Sequence, residues 1–348
     1  MPSSPGRDAP GGGRRRVEAT WELEPVTSLA AVRGPWSALA ERGANLFSTW
    51  EWTDSWWRHV GRGQLAAATC RHGGGGDVVA VLPLFLVGNR LSLLGTGASD
   101  ELGPVCAPVD RPAAGGALRR HLGHLPMPWD TFVGEDMPAD LAWEELLRGR
   151  VTRRRASPVL RADGMSWQDF LSTRSANFRA QVRARQRRLW RDHGAVLHET
   201  EDLTALERDL ETLFHLHVAR WGWARAQRFA GRRARAFMGE FAALALQRGW
   251  LRLRILRLEG RPAAAMLNFR FGGSEWFYQG GRDPALDRLS VGFVLQALAV
   301  QAALDDGVHS YRFLRGDEIY KRRFANHDVG VVTVRVERQM AGAPTAGT

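Results

Sequence analysis

The densest chemistry in this sequence lies in RFLRGDEIYKRRF, residues 312 to 324. There Arg315, Asp317, Glu318, Tyr320, Lys321 and Arg322 crowd into a predicted strand end and the turn after it. Ligand sites in α/β sheets favour the carboxyl ends of strands, so acids, bases and a phenol gathered there suit proton transfer or anion binding. The plainer account is a salt-bridged helix start, with acids first and bases later as the helix dipole prefers. Lys321 stands out from that account, because of the 48 Lys and Arg it alone is lysine. An ammonium is a compact charge whose pKa of about 10.4 can be lowered by burial, unlike a guanidinium. A second run, GRDPALDRLSVG at 281–292, sets Asp283, Arg288, Ser290 and Gly292 ahead of a predicted helix.

Other familiar sites are missing. There is no GxxxxGK, GxGxxG, GxSxG or HExxH, so phosphate-loop, hydride-transfer and zinc-hydrolase chemistry lose their usual support. His121 and His124 share a helix face without a third ligand nearby, and no metal site is expected. Cys70 and Cys106, the two cysteines, are far apart and outside any CxxC spacing, which favours two buried thiols.

At 348 residues, 44% hydrophobic and 24% charged, the chain is long enough for two domains with cores of their own. The longest apolar run, Val78 to Val87, is broken by Pro83 and is half the length of a spanning helix, so no membrane span is expected. The opening MPSSPGRDAPGGGRRR has no apolar core of a signal peptide and reads as a flexible basic arm over 1–16, with cytoplasmic residence expected. The net charge of +11 is concentrated: Arg148 to His193 holds 13 Arg against three Asp, and Ala219 to Met238 holds six Arg and no acid. These are faces for phosphates or another polyanion, or else solvated helix surfaces.

The elements that must position these residues alternate. Helices are predicted at 28–42, 47–60, 116–125, 177–190, 203–221, 233–248, 293–305 and 319–324. Ser166 with Asp169 forms a capping-box pattern. Arg179, Arg183, Arg187 and Arg191 make a ridge at spacing four, opposite Phe178, Val182 and Leu189. A hairpin flanks the GGGGD turn, with strands at 65–70 and 78–87. A three-strand antiparallel meander occupies 250–258, 262–271 and 275–280, and strands follow at 309–314 and 329–337. The two halves repeat one order: hairpin, third strand, Asp-bearing loop, helix, strand, Gly. A duplicated α/β unit is the reading, over 17–165 and 166–340, followed by a tail at 341–348.

The strings FLRGDEIYKRRF, GGRDPALDRLSVG, NFRAQVRARQRRL, HVARW and SDELGP together resemble the CelD-like (BcsL) acyltransferases of the GNAT superfamily, from about Phe47 to about Phe324. The sequence departs from that family's pattern at Arg312, where Asp is usual, at Ile319, where Pro is usual, and at Ala325, where Gly is usual. The resemblance implies tandem GNAT-like domains, α/β (α+β), each a mixed, mostly antiparallel sheet flanked by helices. It implies transfer of an acetyl or other acyl group from acyl-CoA, as co-substrate, to a small-molecule or glycan-precursor amine, and a link to cellulose or other exopolysaccharide synthesis.

By that analogy Lys321 stabilises the oxyanion or a donor phosphate, Asp283 or Glu318 serves as acceptor-amine base, and Tyr320 protonates the departing thiolate. Arg288, Ser290, Gly292 and Arg315 would hold the donor; Asp100, Gln279 and Trp221 would shape the acceptor pocket. Two alternatives remain open. One is a FemX-like transferase using aminoacyl-tRNA, whose polyanionic donor suits the Arg ridge; the other is a non-catalytic polyanion or nucleic-acid-binding protein.

Overall fold

The computed structural model describes residues 21–73 and 75–338; the arm predicted at 1–16 and the tail at 341–348 lie outside them. The first half runs β1 (Trp21–Pro25), α1 (Arg33–Gly43), α2 (Trp50–His59), β2 (Gln64–Leu65), β3 (Ala68–His72), β4 (Val78–Leu82), β5 (Leu84–Val87), β6 (Arg90–Leu93), β7 (Val105–Cys106), α3 (Arg111–His124), β8 (Thr131–Pro138), α4 (Trp143–Leu147) and β9 (Arg150–Arg155). The second half runs β10 (Pro158–Arg161), α5 (Trp167–Ser172), α6 (Ala176–Asp192), β11 (Val196–Glu199), α7 (Leu203–Trp221), α8 (Trp223–Ala230), α9 (Arg232–Gln247), β12 (Leu251–Leu258), β13 (Arg261–Phe271), β14 (Ser274–Arg282), α10 (Val291–Asp305), β15 (Ser310–Arg312), α11 (Ile319–Phe324), β16 (His327–Asp328) and β17 (Val331–Glu337). The result is the expected α/β architecture, mixed sheets flanked by helices. Among the described residues no helix is long and apolar enough to cross a membrane.

Among the described residues three sheets form, ordered β1-β3-β4-β7, β2-β5-β6-β8-β17-β9 and β11-β12-β13-β14-β15-β10-β16. The apolar run at 78–87, predicted as one strand, is two. Pro83 has no N–H for a ladder, so the chain breaks there and passes from the first sheet into the second. The repeated order is visible in the pairings. In each half a hairpin, β5–β6 or β13–β14, is followed by a loop, a helix and a strand parallel to the hairpin's second member. Arg90–Ser92 thus lies beside Thr131–Val133, and Ser274–Trp276 beside Ser310–Arg312.

The second half also supplies a strand to the sheet of the first. β17 inserts between β8 and β9 of the six-stranded sheet, while β10 lies between β15 and β16 of the seven-stranded one. Side-chain packing joins them further. The aromatic helix α2 sends Trp52 edge-on against Phe237 and Phe241 of α9, with ring centres 4.9 and 4.8 Å apart. On the other face of the large sheet, α6 and α10 bury Phe178, Val182, Leu295 and Val300. The capping box at Ser166 and Asp169 is formed and starts α5.

Candidate active site

Helix α7 starts at Asp202, whose side chain accepts from Ala205 N, and buries Leu206, Leu210, Leu213, Phe214 and His217, a helical stripe, against the large sheet. It packs so closely that a Cβ on Gly281 of β14 would stand 2.4 Å from His217 N; only glycine fits there. Strand β14 carries a bulge: Phe277 faces Asn268 and Gln279 faces Leu267, leaving Tyr278 as an extra residue. Its parallel partner β15 stops at Arg312, opposite Trp276. Beyond Trp276, β14 runs six residues further to Arg282 with no strand on that edge, and residues of this stretch shape a pocket on each side.

The first pocket, of about 210 Å³, lies between β14 and α10, and Met266, Phe277, Arg282, Gly292, Tyr320 and Arg220 line it. The first turn of α10 holds no acid, and Ser290 at its N-cap, with φ +56, makes no side-chain cap. Phe293 N and Val294 N donate to Ser290 O, which leaves the amides ahead of them to meet an anion. A Cβ on Gly292 would stand 3.2 Å from Arg282 Cδ, so the bare glycine lets Arg282 lie across the helix start, where it pairs with Asp287 at 3.1 Å. Burial raises the Tyr320 phenol above its ordinary pKa, and Arg220 is hydrogen-bonded to it. The Arg220 guanidinium lies 4.4 Å over the Trp221 ring, at the boundary between the two pockets.

The second pocket, of about 270 Å³, brings together Asp100, His217, Trp221, Gln279 and Arg315. Burial pushes the Asp100 carboxyl up to about 6, against the opposing pull of Arg315. Arg315 Nε lies 2.9 Å from Asp100, its backbone N–H donates to the same carboxylate, and its guanidinium also donates to Asp136. This ion-pair cluster ties the FLRG turn to the first half. Burial lowers the pKa of His217, whose Nδ1 lies 3.1 Å from Gly280 O.

The predicted residues are therefore distributed unevenly. Tyr320 and Gly292 share the first pocket; Asp100, Gln279, Trp221 and Arg315 share the second; Ser290 and the exposed Arg288 stand at the start of α10. Asp283 lines neither pocket: its Oδ1 accepts from Ala285 N at 2.9 Å and starts the short turn before α10. Lys321 is 5% exposed, and its ammonium donates to Arg315 O at 2.6 Å and Leu314 O at 3.4 Å and pairs with Glu318 at 3.0 Å. These contacts take up its three donors inside its own turn. Leu314 sits at φ +60, a costly conformation for a branched side chain, and Lys321 holds its carbonyl. Arg220 was not singled out from the sequence and His217 only as half of a His215/His217 pair on different sides of a helix, although HVARW contains both Arg220 and His217; Arg282 lay unremarked in the loop before α10. Among the described residues no group of three or more His, Cys, Asp or Glu is placed to hold a metal.

Residues 176–322 match the family model described as an acetyltransferase (GNAT) domain. That stretch, from the start of α6 into α11, is thus similar to GNAT acetyltransferase domains. No curated protein sequence matches the chain. Among solved structures it is similar to FemX, with a TM-score of 0.62 at 12% identity, covering 89% of this chain and 96% of that one. It is also similar to the C-terminal domain of a putative lysylphosphatidylglycerol synthetase from Agrobacterium fabrum, with TM-score 0.59, 12% identity and coverage of 88% and 92%. A third likeness is to L-PGS from Bacillus licheniformis, with TM-score 0.51, 13% identity and coverage of 82% and 90%. At such identities these likenesses concern the fold.

Proposed function

We propose that the protein is an N-acyltransferase that takes an acyl group from acyl-CoA in the pocket beside α10 and passes it to an amine in the Asp100 pocket. The observation that carries this reading is the position of β14 beyond Trp276: one strand segment, uncovered along an edge, borders both pockets. An amide-bearing pantetheine arm finds unpaired backbone along such an edge. The uncapped α10 start with Arg282 and Arg288 suits the pyrophosphate of the donor.

In the transfer, the amine nitrogen attacks the thioester carbonyl and the C–S bond breaks. Tyr320, kept protonated by burial, gives its proton to the leaving thiolate, and Arg220 stabilises the negative charge that develops beside it. Asp100, ionised above about pH 6, takes the proton lost by the amine. This assigns the base role to Asp100 in place of Asp283, which caps a turn, and Glu318, which is held by Lys321. Lys321 becomes a positioning residue that holds the Leu314–Glu318 turn. The CelD-like resemblance supports an acceptor drawn from exopolysaccharide or envelope synthesis, and an acyl-CoA donor supports action in the cytoplasm.

One observation favours a second reading, an aminoacyl-tRNA donor of the FemX-like kind. Arg185 of the basic helix α6 stacks 4.9 Å over Phe293, which lines the donor pocket, and Arg183, Arg187 and Arg188 extend from there toward solvent or along the surface. Calorimetric titration with acetyl-CoA, longer acyl-CoAs and charged tRNA separates the two. The first reading expects binding of an acyl-CoA that persists in Arg183→Gln/Arg187→Gln. Binding of tRNA alone, lost in that variant, overturns it.

A further inference from the structure

The acceptor-side pocket opens into a larger one of about 560 Å³; Gly97, Ala98, Arg228, Phe229 and Tyr278 border both. Arg62, Arg228, Arg232 and Arg233 line the larger opening and Arg225 the smaller, and all five are exposed. Neighbouring acids are committed elsewhere: Glu240 to Arg58 and His59, Glu211 to Arg235. Among the described residues none of the five has an ion-pair partner, and the segment that supplies four of them, Ala219 to Met238, contains no acid. Arg232 and Arg233 moreover occupy the first turn of α9, whose N-cap Gly231 offers no side chain and whose first turn has no acid. Cations at the positive end of a helix dipole are disfavoured, and four like charges around one opening, with a fifth at the next, repel one another. A bound anion offsets these terms, because it attracts each guanidinium and the helix start. The floor of the opening is apolar, built from Trp56, Phe229, Phe237 and Tyr278.

We infer that this vestibule binds the phosphate groups of the acceptor, so that the amine to be acylated is carried by a small phosphorylated molecule. Resting on the two-pocket reading above, the assignment places two or more phosphate charges among Arg228, Arg232 and Arg233 and the amine beside Asp100. The concave shape, closing on Asp100 and Arg315, fits a small ligand. Single-stranded nucleic acid is instead tracked along grooves with aromatic faces open for stacking, whereas Trp56, Phe229 and Phe237 are buried here. Guanidinium clusters are suited to phosphate through paired, charge-assisted hydrogen bonds.

The test uses the full chain and inorganic pyrophosphate as probe, titrated calorimetrically with coenzyme A present so that the α10 start is occupied. Wild type is compared with Arg228→Gln/Arg232→Gln/Arg233→Gln and with a control, Arg183→Gln/Arg187→Gln on α6; matched melting temperatures check folding. The expected result is one pyrophosphate per chain, bound about 10-fold or more weakly by the triple variant, unchanged in the control, with coenzyme A affinity equal in all three. Pyrophosphate binding absent in wild type, or equal in the triple variant, overturns the inference. So does binding of tRNA or of anionic phosphatidylglycerol vesicles that depends on these three Arg while pyrophosphate does not bind. If coenzyme A fails to bind but pyrophosphate binds in its absence and is lost in the triple variant, the vestibule stands and the acyl-CoA donor alone is refuted.

Discussion

The two halves share a topology and use it differently. In the second half β14 continues six residues past its parallel contact with β15, and the helix after it starts without an acid, leaving a pocket and an uncapped helix end. In the first half β6 ends at Leu93, one residue past its contact with β8. There α3 begins after Asp110, whose charge complements the helix dipole, with Pro112 in its first turn. The loop that in the second half leads to α10 has its counterpart in Leu94–Pro104, which instead crosses to the other unit and delivers Asp100 and Glu101 to Arg315 and Arg312. On the proposed reading, one unit keeps the binding site and the matching loop of the other serves as a wall of it.

The sharpest way to break this comparison is at Tyr320. Tyr320→Phe is expected to lower turnover about 100- to 10,000-fold through loss of the general acid, with the melting temperature nearly unchanged; steady-state rates near wild type would return the phenol to a packing role. Next comes a paired charge test at the two helix starts. Gly292→Asp should weaken coenzyme A by roughly 10-fold or more by setting a carboxylate where phosphate binds, while Asp110→Asn at α3 should leave that affinity unchanged. Equal losses in both would erase the functional difference between the halves.

The pH profile is a third measure. Asp100 must be ionised to accept a proton, so kcat/KM should fall about 10-fold per unit below about pH 6, and Asp100→Asn should remove that limb. The stability sign is opposite: a carboxyl raised above its unfolded value stabilises the fold at low pH and loses that contribution as pH rises through about 6. The melting temperature of wild type relative to Asp100→Asn should therefore decline from pH 4 to pH 7. The smallest effect is expected at Lys321. Lys321→Met leaves two carbonyls and Glu318 unpaired, and should cost about 1–3 kcal/mol of stability, read in denaturant unfolding, with a secondary loss of turnover.

Much of this was legible locally. The helix limits 203–221 and 319–324 coincide with α7 and α11, because caps, apolar stripes and breakers act over a few residues. The meander is read equally well, since its strands are adjacent in sequence. Helix α8 was hidden behind Gly222, which at φ +71 turns the chain for a second short helix in a stretch to which the sequence assigned no element. The insertion of β17 between β8 and β9 pairs residues nearly 200 positions apart and leaves no local pattern. The chemistry of Asp100 was out of reach for a related reason: its perturbation comes from burial against a turn of the other half, a property of assembly. Lys321 shows the reverse case, a conspicuous residue type whose donors are all engaged inside its own turn.

The insertion of β17 also has a temporal side. During synthesis the segments that form β8 and β9 emerge long before Val331–Glu337, so the six-stranded sheet carries a vacancy beside its edge strand β9 until the second half has been made. Such long-range pairing delays folding and exposes strand edges in the interval. The half begun first is completed last, and a ribosome pause ahead of residue 331 would leave a nascent chain whose two open edges invite chaperones or one another.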